Sequence, residues 1–289
     1  MSEGLYPLKF IPQYKERIWG GDNLKKILGK DVPADMARCG ESWEISSVED
    51  SVSEVANGYL AGNTLEELIE VYMGDLVGDS IYEKFGVEFP LLIKLIDAQD
   101  VLSIQVHPDD EYAEKNHHAY GKTEMWYVIS AEENSEIITG FKKDVTREEY
   151  LQSLSNGNLK KLLNVEKAKV GDVYYIPAGR VHAIGKGVLL AEIQQTSDIT
   201  YRIYDWDRVD SNGKPRELHN DLALDVIDFK EVTNAKWTKP DTVNKTAELA
   251  SCPYFTVTRL TFTDTIKRNY DLLDSFVIYM CLADRKSTV

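Results

Sequence analysis

The sequence predicts a mainly β protein, built as an antiparallel sandwich or barrel. It contains many short apolar or alternating segments, turn residues separate them, and helical patterns are few. With 289 residues, the chain can form one large domain or two smaller ones. Strands are predicted at residues 90–96, 101–106, 125–130, 135–141, 172–176, 188–194 and 200–204.

Two helical insertions interrupt the strands, and each begins with a capping-box pattern. In such a box a threonine caps the first turn and a glutamate three residues later bonds back to it. Thr64 and Glu67 open a helix predicted to reach residue 74, and Thr146 and Glu149 open one that continues to about residue 163. Both are predicted to be packing helices.

The C-terminal part of the chain has a different pattern. Residues 231–246 are polar and irregular, which indicates a linker or peripheral loops, and strand-like patterns return at 254–260 and 275–281. Two strands cannot form an independent domain. We therefore expect a main domain over residues 1–230, followed over 231–289 by a linker and a short, partial β domain.

The composition argues against several classes of partner. A formal net charge of −15 disfavours nucleic acid and anionic membranes, although local basic residues can still bind an anionic substrate. No apolar stretch approaches the roughly 18 residues of a membrane helix, and the first residues lack a secretory pattern, so we expect a cytoplasmic protein. The widely spaced Cys39, Cys252 and Cys281 suggest neither disulfides nor a thiolate zinc site.

One predicted strand carries the first candidate ligands of a metal. In the run LSIQVHPDD, Gln105 and His107 point to one face because strand side chains repeat their direction every second residue. An amide oxygen beside an imidazole can begin a metal site. Such a pair is more often only hydrogen-bonded or solvated, so further ligands are needed.

Two later residues can complete this site. Glu124 stands at the start of the next predicted strand, and a hairpin-like return would bring it beside Gln105 and His107. His182 enters another strand from a turn and could reach across the barrel. Two imidazoles, a carboxylate and an amide oxygen suit zinc, and the ligand types do not exclude iron, manganese or nickel.

Six motifs follow one another along the chain: RIWGGDNL, GESWEIS, LSIQVHPDD, GKTEMWYV, IPAGRVHAIGKG and EIQQTSDITYRIYDWDR. In this order they resemble the short bacterial form of the type I phosphomannose isomerases, a family of cupin enzymes. The resemblance covers about residues 5–230. It implies a cupin-type jelly-roll barrel and zinc-dependent interconversion of mannose 6-phosphate and fructose 6-phosphate, a small phosphosugar substrate.

The resemblance also implies roles for particular residues. One zinc ion would be held by Gln105, His107, Glu124 and His182. Aldose–ketose isomerisation moves a proton between C1 and C2, so it needs a fixed positive charge and a proton shuttle. The residues nominated for catalysis are Arg202, Lys122 and Glu192, and those nominated for phosphate binding are Ser103 and Arg208. A permanently charged arginine favours electrostatic stabilisation as the role of Arg202.

Plainer interpretations exist for each charged residue. Lys122 can be solvent-exposed, Glu192 can be the buried partner of an arginine, and Arg202 can be that arginine. The protein can also be a non-catalytic sugar-phosphate-binding regulatory cupin, a cupin oxygenase, or another sugar isomerase that uses iron or nickel. The remaining histidines are predicted to be loop or capping residues: His117, His118 and His219.

Members of the family usually complete a second, smaller barrel, whereas the strand-like pattern here ends at residue 281. A shortened chain and a naturally minimal form are both compatible with this departure. The oligomeric state is left open.

Overall fold

Antiparallel strands dominate the fold, as predicted. The computed structural model describes residues 4–209 and 213–283. In chain order the strands are β1 Gln13–Gly21, β2 Cys39–Ile45, β3 Leu91–Ala98, β4 Ile104–Val106, β5 Glu124–Ala131, β6 Glu136–Phe141, β7 Leu163–Lys167, β8 Asp172–Ile176, β9 His182–Ile184, β10 Val188–Gln195, β11 Tyr201–Tyr204, β12 Lys236–Thr238, β13 Lys245–Ser251 and β14 Thr256–Thr261.

The strands form two large sheets and one hairpin. The seven-stranded sheet has the order β1-β2-β3-β10-β5-β8-β12, the five-stranded sheet has the order β11-β4-β9-β6-β7, and β13 pairs with β14. Buried side chains from both large sheets belong to one cluster, so the sheets pack face to face as a double-sheet barrel. Members of this cluster include Trp126, Val128, Leu190, Ile137 and Ile184.

Helices cover the outer faces of both sheets. Buried residues of α2 join a cluster with the outer side of the seven-stranded sheet, and those of α6 and α7 join one with the five-stranded sheet. Among residues 4–209 and 213–283, none of the helices has the length and apolar character needed to cross a membrane. The helices are α1 Asn23–Lys26, α2 Leu65–Tyr72, α3 Gly74–Val77, α4 Asp79–Phe85, α5 Asp110–His117, α6 Arg147–Ser155 and α7 Asn220–Val226.

The two predicted helical insertions are present, with different caps. Thr64 and Glu67 form the full capping box at the start of α2. Thr146 caps α6 by accepting from the Glu149 amide at 3.1 Å, but the Glu149 carboxylate binds Lys143 at 2.7 Å instead of returning to the cap. Helix α6 ends at Ser155, and only a short 3₁₀ turn follows at Leu159–Lys161.

Helix α5 was not predicted from the sequence. Asp109 caps it by accepting from the Tyr112 amide at 2.8 Å. The segment is polar almost all round and buries only Ala113, so it shows no apolar period of 3.6 residues. The Asp109 cap is the one clear helix signal in this segment, and the hydrophobic pattern does not indicate a helix.

The C-terminal segment packs on the main body. The predicted strand at 254–260 is confirmed as part of the β13–β14 hairpin, and β12, inside the predicted linker, adds an edge to the large sheet next to β8. The predicted strand at 275–281 is wrong, since the described residues there are irregular. Instead, the Phe276 ring packs 4.5 Å from that of Phe89. The domain boundary at residue 230 stays a prediction.

Candidate metal centre

Three buried side chains meet between the two sheets. His107 Nε2 lies 3.2 Å from Glu124 Oε1, and His182 Nε2 lies 3.9 Å from Glu124 Oε2. All three side chains are only 1% exposed, and one ligand atom from each falls within 4.8 Å of the others. The structure therefore brings together three of the four predicted ligands at coordinating range.

The two sheets supply these residues from opposite sides. His107 follows β4 and His182 begins β9, which is paired with β4 through Gln105 opposite His182. Glu124 begins β5, which belongs to the facing sheet. The expected hairpin-like return of Glu124 is thus wrong, because helix α5 separates β4 from β5 and the carboxylate approaches across the barrel. The expectation that His182 reaches across the barrel is also wrong, since β9 is the neighbour of β4 in the same sheet.

Backbone carbonyls orient both imidazoles. His107 Nδ1 lies 2.8 Å from the Ile199 carbonyl, and His182 Nδ1 lies 2.8 Å from that of Arg180. A carbonyl accepts only, so each Nδ1 is assigned the proton and each Nε2 presents a lone pair to the centre. This is the orienting contact that metal-binding histidines usually make.

The fourth predicted ligand stands beside them. Gln105 Nε2 lies 3.2 Å from His182 Nε2, while Gln105 Oε1 accepts from the Ser103 hydroxyl at 3.4 Å. A half-turn of the amide would bring its oxygen to the place of its nitrogen. Gln105 can then add an oxygen to the two imidazoles and the carboxylate.

Unpaired atoms at the centre show that this donor set fits a cation. His107 Nε2 and both carboxylate oxygens of Glu124 are buried without a hydrogen-bond partner among the described residues. A lone pair and a carboxylate held 3.2 Å apart repel each other unless a positive charge lies between them. The mixed N/O set, without thiolate, is one that zinc, iron, manganese or nickel can accept.

The protonation states agree with this fit. Burial, helped by the Lys122 charge, lowers the pKa of His107 to about 3, and burial also lowers the pKa of His182. Burial alone would raise the pKa of Glu124, but the neighbouring Lys122 charge lowers it. Neutral imidazoles and an ionised carboxylate are the forms that bind metals.

Lys122 belongs to the same centre. Its Nζ lies 3.4 Å from Glu124 Oε1, and its side chain is only 5% exposed. The Lys122 amide donates to the Pro108 carbonyl at 3.0 Å, which ties the approach to β5 to the end of β4. The alternative of a solvent-exposed lysine is therefore wrong.

Glu192 lies in a row of polar side chains that crosses the large sheet. It is directly opposite Lys94 in β3 and Trp126 in β5. Lys94 Nζ lies 3.2 Å from Glu192 Oε1, and Trp126 Nε1 donates to Glu192 Oε2 at 2.8 Å. Its cationic partner is thus a lysine and not the arginine considered from the sequence. Burial, followed by the Glu124 charge, raises the pKa of Glu192 against the opposing effect of Lys94.

Two residues of this row, Lys94 and Trp43, were not singled out from the sequence. Lys94 also lies 5.1 Å from the centre of the Trp43 ring, whose Nε1 donates to Glu41 at 2.7 Å. Burial would lower the pKa of Lys94, but Glu192 and Glu41 raise it. A signal existed in the sequence: Lys94 is the one charge in the apolar run 91–96, and a charge in a strand buried on both faces requires a partner.

Arg202 stands next to the proposed ligands in the five-stranded sheet. It is directly opposite Gln105 in the β11–β4 pair, so the two side chains share a face. One guanidinium nitrogen donates to the Glu217 carbonyl at 2.9 Å, while Arg202 Nε is buried without an acceptor among the described residues. The Arg202 amide is held by His219 Nδ1 at 3.1 Å. A buried donor without a partner is available to a ligand.

The predicted phosphate-binding residues have different surroundings. Ser103 is buried and bonds only to Gln105 in the described contacts. Arg208 donates to the Val101 carbonyl at 2.6 Å and to Asp205 at 2.5 Å. Arg208 is therefore held in an ion-pair cluster, and its role in phosphate binding stays a prediction.

The remaining histidines lie outside the centre. His117 ends α5 and its Nε2 lies 2.6 Å from the Tyr201 hydroxyl. His118 follows in the left-handed conformation as the C-cap, and His219 occupies the N-cap position of α7. The prediction of loop or capping roles agrees with these positions.

A double-sheet antiparallel barrel, with a His–Glu–His group between its sheets that could hold a metal ion, places the protein in the cupin class. The model of phosphomannose isomerase type I, catalytic domain, matches residues 7–142. Mannose-6-phosphate isomerase of Streptococcus mutans is 42% identical over 263 residues, 90% of this chain and 80% of the relative. ManA of Bacillus subtilis is 42% identical over 87% of this chain and 78% of its own.

A solved structure agrees with these sequence relatives. The crystal structure of the B. subtilis mannose 6-phosphate isomerase superimposes with a TM-score of 0.75 at 39% identity, covering 87% of this chain and 79% of that one. The chain belongs to the type I phosphomannose isomerase family. The resemblance inferred from the motifs is confirmed, and the 263 aligned residues reach beyond the predicted stretch 5–230 into the C-terminal segment.

Proposed function

We propose that this protein is a zinc-dependent isomerase that interconverts mannose 6-phosphate and fructose 6-phosphate by enediol proton transfer. The observation that carries the proposal is the convergence, inside one barrel, of a His–Glu–His donor set with two further buried charges, those of Lys122 and Glu192. The donors are His107, Glu124 and His182, and Lys122 lies within 3.4 Å of that carboxylate. The curated relatives at 42% identity bear the name of this activity.

The metal would be held by Gln105, His107, Glu124 and His182. When bound, zinc supplies a fixed positive charge that stabilises the negative oxygens of an enediolate. The carbonyl contacts at the two Nδ1 atoms keep both imidazoles in the ligating orientation. The low exposure of the site excludes bulk water, which strengthens every charge interaction with a bound sugar.

The chain's own residues would then move the proton. A carboxylate accepts up to about four hydrogen bonds, so Glu192 keeps free lone pairs beside those used by Lys94 and Trp126. We assign to Glu192 the proton transfer between C1 and C2. Lys122 Nζ would donate to a sugar oxygen, and Arg202 would stabilise the developing negative charge with its unpaired donor.

The phosphate would be bound nearby. Ser103 lies on the same strand face as Gln105, and its hydroxyl is directed toward that residue. Arg208, with Arg202, would add positive charge for the dianion, which compensates locally for the acidic surface of the chain.

Steady-state isomerisation of mannose 6-phosphate, with metal content measured on the same samples, tests this proposal. We expect zinc and turnover together in the wild type, and Glu192→Gln should lower kcat by about a hundredfold or more, the usual contribution of general acid–base catalysis. The exposed Glu248→Gln is the matched control. Binding of sugar phosphate without turnover would indicate a non-catalytic cupin, and iron or nickel in the active protein would indicate a different metal class.

A further inference from the structure

A hydrogen-bond network joins the C-terminal hairpin to the segment that carries Lys122 and Glu124. Its centre is Asp110, the first residue of α5. Asp110 Oδ1 accepts from the Gly121 amide at 2.9 Å and from Gln195 Nε2 at 2.8 Å. Asp110 Oδ2 accepts from the hydroxyl of Tyr254 at 2.8 Å.

Gln195 extends the network to the residue before Glu124. The side-chain oxygen of Gln195 accepts from the backbone amide of Thr123 at 2.9 Å, and the backbone amide of Gln195 donates to the Thr123 carbonyl at 3.2 Å. Together with the Gly121 contact, these bonds hold both peptide neighbours of Lys122. The position of Lys122 and Glu124 therefore depends on the orientation of Asp110 and Gln195.

Tyr254 lies in the turn between β13 and β14, far along the chain from the rest of the network. Its ring packs against the outer cluster of the seven-stranded sheet, next to the buried Phe255. Burial would raise the pKa of Asp110, but hydrogen bonds from Tyr254, Gly121 and Gln195 lower it. The hydroxyl of Tyr254 is the one donor to Asp110 Oδ2 in the described contacts.

We infer that Tyr254 is a positioning residue of the metal centre, acting through Asp110 and Gln195 on segment 121–124. Losing its hydroxyl frees one carboxylate oxygen, which lets Asp110 rotate away from the Gly121 amide. The segment then opens more often, and both Lys122 and Glu124 lose their fixed places. The part of this inference that concerns turnover rests on the proposed function, whereas the part that concerns segment 121–124 does not.

The test compares Tyr254→Phe with wild type in the full chain. Hydrogen exchange of the amides of Gly121 and Thr123, measured on metal-free protein, should be roughly tenfold faster, the factor that corresponds to one hydrogen bond to a charged acceptor. Release of zinc to a chelator should accelerate several-fold. In the isomerase assay kcat should fall several-fold, with KM within about twofold of wild type.

Tyr6→Phe is the matched control, because the Tyr6 hydroxyl also joins distant segments, through Asn57 and Leu60, away from the centre. It should leave exchange at Gly121 and Thr123, zinc release and kcat unchanged. A general loss of stability would move both variants alike. Unchanged local exchange in Tyr254→Phe would overturn the inference.

Asp110→Asn gives a second route to the same answer. It should reproduce the faster local exchange, and the double variant with Tyr254→Phe should be little worse than Asp110→Asn alone, because both act through one carboxylate. Additive effects would overturn the inference. If Tyr254→Phe fails to fold, Asp110→Asn alone decides, and unchanged exchange at Gly121 and Thr123 in that variant would overturn the inference. The two proposals can also fail separately. If the wild-type protein has no isomerase activity, but Tyr254→Phe still exchanges its amides and releases zinc faster than wild type, the positioning role is upheld and the proposed function is rejected.

Discussion

Lys94 and Glu192 are direct partners in neighbouring strands, and their side chains form an ion pair of 3.2 Å inside the barrel. Both side chains are less than 8% exposed. Trp43 and Trp126 extend the same row on either side. A charge removed from water in this way is tolerated only while its partner remains, so the stability of the large sheet depends on this pair.

Breaking this pair should be costly. We expect Lys94→Met to lower the free energy of unfolding by about 3–5 kcal/mol, because Glu192 would keep a buried charge without its main partner. Urea denaturation measures the change. Lys160→Met, which breaks the exposed pair with Glu136, is the control and should cost at most about 1 kcal/mol. Equal costs for the two variants would contradict a buried charge pair.

The metal centre should depend on both imidazoles. The purified chain should carry about one zinc, and His107→Ala and His182→Ala should each lose metal and activity while circular dichroism stays that of a β protein. Elemental analysis measures occupancy. His118→Ala, at an exposed position, should retain the metal. Full zinc content in the first two variants would remove these histidines from the ligand set.

Arg202 should act on the rate and not on the metal. A planar cation near the developing enediolate stabilises the transition state more than the bound sugar, so Arg202→Ala should reduce kcat by roughly a hundredfold or more with unchanged zinc. Arg202→Lys keeps the charge without the fork of donors and should recover only part of the loss. The exposed Arg147→Ala serves as control. A near-normal kcat in Arg202→Ala would leave Lys122 and Glu192 as the catalytic candidates.

Asp205 should contribute to stability against acid. Burial would raise its pKa, but hydrogen bonds from Arg216 and Arg208 hold it below the usual 3.8. Because the pKa of Asp205 is lower in the folded protein than in the unfolded chain, the unfolded chain binds more protons at this carboxyl between the folded pKa and pH 3.8. The stabilisation is therefore complete above pH 3.8 and is lost as the pH falls through the folded pKa.

Asp205→Asn should accordingly lower the free energy of unfolding at pH 7 and make it less dependent on pH below 4. Urea denaturation over a pH series checks both effects, with Asp35→Asn at an exposed position as control. An acid-side slope equal to that of wild type would show that the arginines do not perturb this carboxyl.

Local rules determined the parts of this protein that depend on near neighbours. Strand alternation placed Gln105 and His107 on one face, and the capping box at Thr64 fixed the start of α2. The order of the motifs along the chain was enough to identify the family and its four candidate ligands. These predictions agree with the structure because side-chain direction and helix capping are determined within a few residues of the chain.

Only the tertiary structure decided what depends on distant segments. Glu124 reaches the histidines from the facing sheet, Glu192 is paired with Lys94, and Tyr254 is bonded to Asp110 across 144 positions. The segment 275–281 reads as a strand but finds no sheet edge among the described residues, so it packs as irregular chain through Phe276. A strand needs a partner for its backbone groups, and a buried charge needs its counterion, and neither partner is encoded in the local sequence.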